Sequence, residues 1–109
     1  MNVYETLRMG VLGKKPCKIS MLDEAERKMC PYIVGKSNKG EEYVLYYQYG
    51  GYSSSGLKED GSSANWRCGR VSDIAGAEIL DESWHQPIQK PKTRGSCVVF
   101  VDAEVEGYY

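Results

Sequence analysis

The stretch that decides the fold runs from Arg27 to Leu80: RKMCPYIVGKSNKGEEYVLYYQYGGYSSSGLKEDGSSANWRCGRVSDIAGAEIL. It reads as a strand interrupted by proline, a glycine-bounded turn, an aromatic strand, a Gly/Ser loop and an arginine-bearing strand. Over 27–34 the alternation puts Arg27, Met29, Pro31 and Ile33 on one face. Pro31 has no backbone donor, so this strand is expected at an edge or at a bulge near that point. Gly35 and Gly40 bound a hairpin loop. Glu42–Tyr49 is the strongest strand signal, with Tyr43, Leu45, Tyr47 and Tyr49 on one face and Val44, Tyr46 and Gln48 on the other. Both faces are apolar or aromatic, so neither is simply solvated. One is expected to line a barrel core, the other to meet a covering helix, a ligand or another subunit. Gly50–Ala64 reads as a mobile loop by composition. Asn65–Val71 is the next strand, where Gly69 suggests the bend that closes small barrels. Ser72–Leu80 follows as a turn and a short strand.

Outward from this stretch, Val3, Leu7 and Val11 recur every four residues and Tyr4 and Leu12 widen the stripe. The spacing predicts a helix over 2–13, N-capped by Asn2 and stopped at Gly13. A helix so short needs packing to persist, and the sheet is its expected partner. Cys17–Leu22 reads as a first strand. On the far side, residues 85–95 are polar, basic and proline-containing, the signature of a loop. Ser96–Glu106 alternates as a long final strand that becomes acidic on one face. The expected architecture is a mainly β (α+β) single domain over 1–109, with a helix at 1–13, a barrel core of about five strands at 17–84 and an extra C-terminal strand at 96–106.

The chain has 109 residues, enough for one core without staples. Nine tyrosines stand against one phenylalanine, which suits half-wet strand surfaces. A net charge of −1 gives no global attraction to polyanions, so any such site must be a local patch. No apolar run is long enough to span a bilayer and the start lacks secretory signal character, so a cytoplasmic location is expected. The four cysteines form no CxxC pair. They are expected chiefly as free, structural, small hydrophobes, with an incidental disulfide or a metal site as alternatives. No cofactor is implied.

Arg27 and Pro31 in R-x-M-x-P, the loop Gly35–Gly40, Tyr43-Val44-Leu45 and Arg67–Ile74 together resemble the WYL domain, a bacterial module found mostly in transcriptional regulators. The run Tyr47–Gly56 (Y-Q-x-G-G-x-S-x-S-G) followed by Trp66–Cys68 (W-R-C) is similar to short stand-alone bacterial relatives of that domain. The resemblance implies an Sm-like, SH3-type barrel. It also implies that Arg27, Arg67 and Arg70 contact an anionic ligand, a nucleotide or a single-stranded nucleic acid. Val44 replaces the family's usual tyrosine, and Asp73 stands where the family carries arginine. No helix-turn-helix fits before residue 14, so this chain is expected to lack a sequence-specific DNA reader.

The residues themselves leave two readings open. Guanidinium forks at Arg27, Arg67 and Arg70 suit phosphate, and Tyr46 and Trp66 could stack bases; alternatively, the arginines pair with Glu41, Glu42 and Asp73 on a wet face. Gln48 either meets a ligand edge or stitches neighbouring loops. Gly50–Gly56 could cradle an anion, though it lacks phosphate-loop spacing. Lys90, Lys92 and Arg94 form either a basic patch or a solvated linker. His85 lacks a nucleophile motif, and the carboxylates Asp102, Glu104 and Glu106 follow one another along a strand, so enzyme chemistry is not expected. The expected function is a non-enzymatic, ligand-sensing module without metal or membrane partners. The competing expectation is a structural, homo-oligomerising domain built on the aromatic face and the final strand.

Overall fold

The computed structural model describes residues 1–23, 25–52, 56–58, 62–87, 89–91 and 97–107. One helix, α1 (Val3–Gly13), precedes six strands: β1 (Cys17–Met21), β2 (Glu26–Lys36), β3 (Glu42–Gly51), β4 (Trp66–Arg70), β5 (Ile74–Ile79) and β6 (Phe100–Glu104). The fold is thus mainly β with an N-terminal helix, as expected. Asn2 caps α1 through a reciprocal capping box with Glu5, and the helix closes on Lys14 in the left-handed conformation.

All ladders are antiparallel, in the order β4-β3-β2-β1-β5, with β6 added beside β2. β4 and β5 are the outer strands of that order, yet only the 3-10 turn Val71–Asp73 separates them. Such a turn advances about 2 Å per residue, whereas a flat five-strand sheet would hold its edges roughly 19 Å apart. The sheet must therefore curl until its edges approach, which makes it a barrel. Leu22 extends the β1–β5 side of this turn, its amide donating to the Asp73 carbonyl at 3.0 Å.

Pro31 sits in the longest strand, which lies at the centre of the sheet. It is accommodated by a bulge, with Pro31 opposite Tyr46 and Ile33 opposite Leu45. The extra residue, Tyr32, shifts the alternation, so Ile33 leaves the face of Arg27, Met29 and Pro31, contrary to simple period-two reading. The inner face carries Cys17, Ile19, Met29, Val44 and Tyr46, all buried, and α1 adds Leu7 and Val11. Gly10 is what seats the helix: a Cβ there would fall 2.8 Å from Pro31 Cγ and 2.9 Å from Cys17 Sγ. Gly69 serves a similar end, leaving room for the Tyr46 ring 3.1 Å from where its Cβ would lie.

The outer face of β3 is covered by the chain's own residues 81–87, which have no helical structure. Trp84 packs on Tyr32 at 4.9 Å and His85 stacks on Tyr49 at 3.9 Å between centroids. Trp66 closes the cluster edge-on to Tyr32 and Tyr47. This covering takes up the aromatic face on which the oligomerisation reading partly depended.

Two expectations need correction. The final strand spans only Phe100–Glu104, because Val99 and Val105 hold the ends of the β2 edge through single backbone bonds rather than a continued ladder. Of the four cysteines, Cys68 and Cys97 form a disulfide, while Cys17 and Cys30 are free and buried. Cys68 is exposed on β4, and folding brings Cys97 beside it with a Cα separation of 6.1 Å.

Burial pushes the Cys17 thiol from 9.0 up to about 12. Unfolded, it ionises near its ordinary value; folded, it keeps its proton to about pH 12. The folded state therefore binds more protons in between, and stability falls as pH rises, by about 1.4 kcal/mol per unit. Burial first, and hydrogen bonding to carboxylates second, raises Tyr4 and Tyr49, while burial raises Tyr32, all with the same sign. Urea midpoints taken at pH 8.5 and 10.5 should differ by about 2 kcal/mol from Cys17 alone. Cys17→Ala should remove that part of the slope.

Candidate functional site: the polar mouth of the barrel

β1 and β3 end, and β2 and β4 begin, at the same end of the barrel, away from α1. Alternation on these strands turns Arg27, Tyr46 and Gln48 inward, so the core becomes polar at this mouth. Arg27 Nη1 donates to the Tyr46 hydroxyl at 2.8 Å. Among the described residues no ion pair involves Arg27. Gln48 is fully buried and its amide nitrogen donates to the carbonyls of Gly50, at 3.0 Å, and Tyr52, at 2.8 Å. Those two carbonyls fix the orientation of the amide.

The arrangement leaves two buried atoms without partners, Arg27 Nε and Gln48 Oε1. One is a donor and the other an acceptor. An unsatisfied buried polar group costs about 1–3 kcal/mol, so native proteins rarely keep one without a reason. The turn beside them is held tightly. Gly51, at φ +83°, lies so close to β2 that a Cβ would fall 2.4 Å from the Glu26 carbonyl. The Tyr52 amide in turn donates to that carbonyl at 2.9 Å.

The six residues singled out in the sequence do not form one site. Arg67 starts on the Tyr46 side, paired with it across the ladder, but its guanidinium turns back to the Ala64 carbonyl and to the Trp66 carbonyl at 3.3 Å. Trp66 and Arg70 project from the opposite face of β4. Trp66 belongs to the aromatic cluster and its indole donates to the Gln89 carbonyl at 3.0 Å. Arg70 bridges Glu41 at 3.1 Å and Asp73 at 3.4 Å, the cross-pairing that a wet strand face allows. Those carboxylates, Glu41 first, raise the Arg70 pKa still further. Of the two roles expected for Gln48, the structure shows the stitching, of the Gly50–Tyr52 turn.

Asn65 escaped sequence reasoning. It is fully buried and clamps Lys58 from both sides, accepting from its amide at 2.9 Å and donating to its carbonyl at 3.1 Å. A polar residue ahead of a strand resembles any turn residue, so only its burial marks it. Glu82 organises the covering segment by accepting from Lys28 and from Tyr49, at 2.9 and 2.8 Å, and these bonds hold its carboxyl below the usual range. Lys92 and Arg94 of the basic stretch, and residues 53–55 and 59–61 of the Gly/Ser loop, lie outside the described residues. No helix among the described residues is long and apolar enough to cross a membrane. Set against models of known families, curated proteins and solved structures, the chain matches none of them.

Proposed function

We propose that the protein is a non-enzymatic binding module that takes its ligand at the barrel mouth, with Arg27, Tyr46 and Gln48 as the recognition groups. The observation that carries this reading is the buried donor and the buried acceptor left open in the polar mouth. A ligand suited to them presents an acceptor or anionic oxygen to Arg27 and an N–H to Gln48. A nucleotide or a short single strand offers both, whereas inorganic phosphate lacks the N–H. The strand order β4-β3-β2-β1-β5 with a 3-10 turn before β5 supports an Sm-like, SH3-type barrel. Together with the R-x-M-x-P, Y-Q-x-G-G and W-R-C residues it supports a bacterial WYL-like relative with a role in regulation. Stacking of the His85 ring on Tyr49 supports a packing role for that residue rather than catalysis.

A thermal-shift screen with nucleoside mono-, di- and triphosphates and short single-stranded oligonucleotides tests the reading. A hundredfold excess over Kd should stabilise the protein by about 2.7 kcal/mol. Arg27→Lys keeps the charge but loses the planar fork, and should weaken binding about tenfold or more. Arg70→Ala should leave binding unchanged. No shift with any compound, or a shift indifferent to Arg27→Lys, would overturn the reading. The self-association reading now rests on β6 and the residue before it, where Val99, Phe100 and Val101 are exposed. Light scattering at micromolar concentration decides it, since a monomer removes its basis. A cytoplasmic location belongs to the same reading, with the reducing conditions that would act on the disulfide.

A further inference from the structure

We propose that the Cys68–Cys97 disulfide is a reducible clasp that keeps β6 on the edge of β2, and that thiol–disulfide exchange releases β6 while the barrel stays folded. Little else holds this strand. β6 has five residues and meets β2 at four register positions, interrupted by a shift between Val34 and Gly35. Phe100 and Val101 are 63% and 50% exposed, so apolar burial rests on Val98, Ala103 and Val105. Asp102 accepts from Tyr4 and Arg8 at 2.6 and 3.0 Å, but the ion pair is half-exposed and contributes little. A strand of this length is marginal by itself.

The clasp changes the closure problem. Without it, the nearest upstream hold on the chain is Gln89, whose carbonyl accepts from the Trp66 indole, and loop-closure entropy over that longer connection opposes the pairing. With it, Cys97 is tied to the barrel at Cys68, and only Val98 and Val99 separate the tie from β6. Docking then proceeds at a high effective concentration. The site of attack is open, because Cys68 is exposed on a strand that pairs with β3 alone. Cys17 and Cys30 do not compete, both being buried, and Cys30 Sγ accepts from the His85 amide at 3.4 Å.

Reduction by a dithiol balances as follows. One thiolate attacks Cys68 Sγ, the Sγ–Sγ bond breaks, and Cys97 leaves with the electron pair and takes a proton. The second thiol then displaces Cys68 as thiolate, which is protonated, and the reductant is left as its own disulfide; two electrons and two protons have moved to the protein. Released β6 uncovers the backbone edge of β2 at Ile33–Lys36.

Hydrogen exchange with and without dithiothreitol tests the clasp, preceded by a thiol count on the purified protein under denaturing conditions. The informative amides are Val99 and Val105, which donate to the Lys36 and Tyr32 carbonyls. Reduction should accelerate them by at least about tenfold more than amides of the β1–β2 and β2–β3 ladders, because a released strand opens below the global unfolding energy. Cys68→Ser/Cys97→Ser should show the reduced pattern with or without reductant. Equal acceleration at every amide would mark a disulfide that stabilises the whole fold uniformly. No acceleration, or four free thiols before reduction, would equally overturn the proposal.

Discussion

Alanine at Gly51 is expected to lower the free energy of unfolding by about 2–5 kcal/mol, a large part of the 5–15 kcal/mol typical of a domain. Two effects add. Gly51 sits at φ +83°, where an L side chain is strained, which costs about 1–2 kcal/mol. Its Cβ would also fall 2.4 Å from the Glu26 carbonyl oxygen and 2.7 Å from Arg27 Cα, both backbone atoms that have no rotamer to yield. Forced overlap of this kind costs about 1–3 kcal/mol. Gly40 is the internal control, at φ +84° with nothing within 4 Å of where a Cβ would stand. Gly40→Ala should cost only the conformational part, about 1 kcal/mol. Urea denaturation of both variants separates the two effects, and equal losses would show that the close approach contributes nothing. The same contact positions the Gly50–Tyr52 turn that Gln48 stitches, so Gly51→Ala should also weaken any ligand held at the mouth.

Removing the cross-link should have an effect of similar size. The disulfide closes a loop with a sequence separation of 29, and chain entropy assigns such a loop about 3–4 kcal/mol. The gain arises because the unfolded chain is restricted, so it does not depend on how well the bond packs in the folded state. Tm should fall by roughly 15–25 °C. Calorimetry of the reduced wild type and of Cys68→Ser/Cys97→Ser should give coincident melts. A drop of only a degree or two in both would mean that the unfolded state is already compact around these residues.

The helix and the strand sequence were legible because each is encoded by local pattern. Asn2 and the Val3–Leu7–Val11 stripe mark α1, and alternating Tyr/Val pairs mark β3. Errors entered where pattern alone does not carry parity or partnership. The bulge at Pro31 moved Ile33 to the other face, because one extra residue inverts every later side chain on a strand. The covering of Tyr47 and Tyr49 by residues 81–87 was not legible either, since a polar, proline-containing segment has no periodicity to show what it lies against.

The candidate site divides the same way. The resemblance supplied Arg27, Arg67 and Arg70, residue type added Tyr46, Gln48 and Trp66, and strand parity already separates Trp66 and Arg70 from Arg67. Only the fold shows that Arg67 spends its guanidinium on the Ala64 carbonyl, and that Arg27 Nε and Gln48 Oε1 are left open.

A mainly β fold, its element order and the Asn2 cap of its helix are written in the chain, because they follow from hydrophobic period and backbone chemistry within a few residues. Barrel closure, the Cys68–Cys97 bond, the faces buried against residues 81–87, and the polar atoms that meet at the mouth came from the three-dimensional fold. Each of these depends on groups far apart in the chain, and their juxtaposition is set by curvature and register that no local pattern contains.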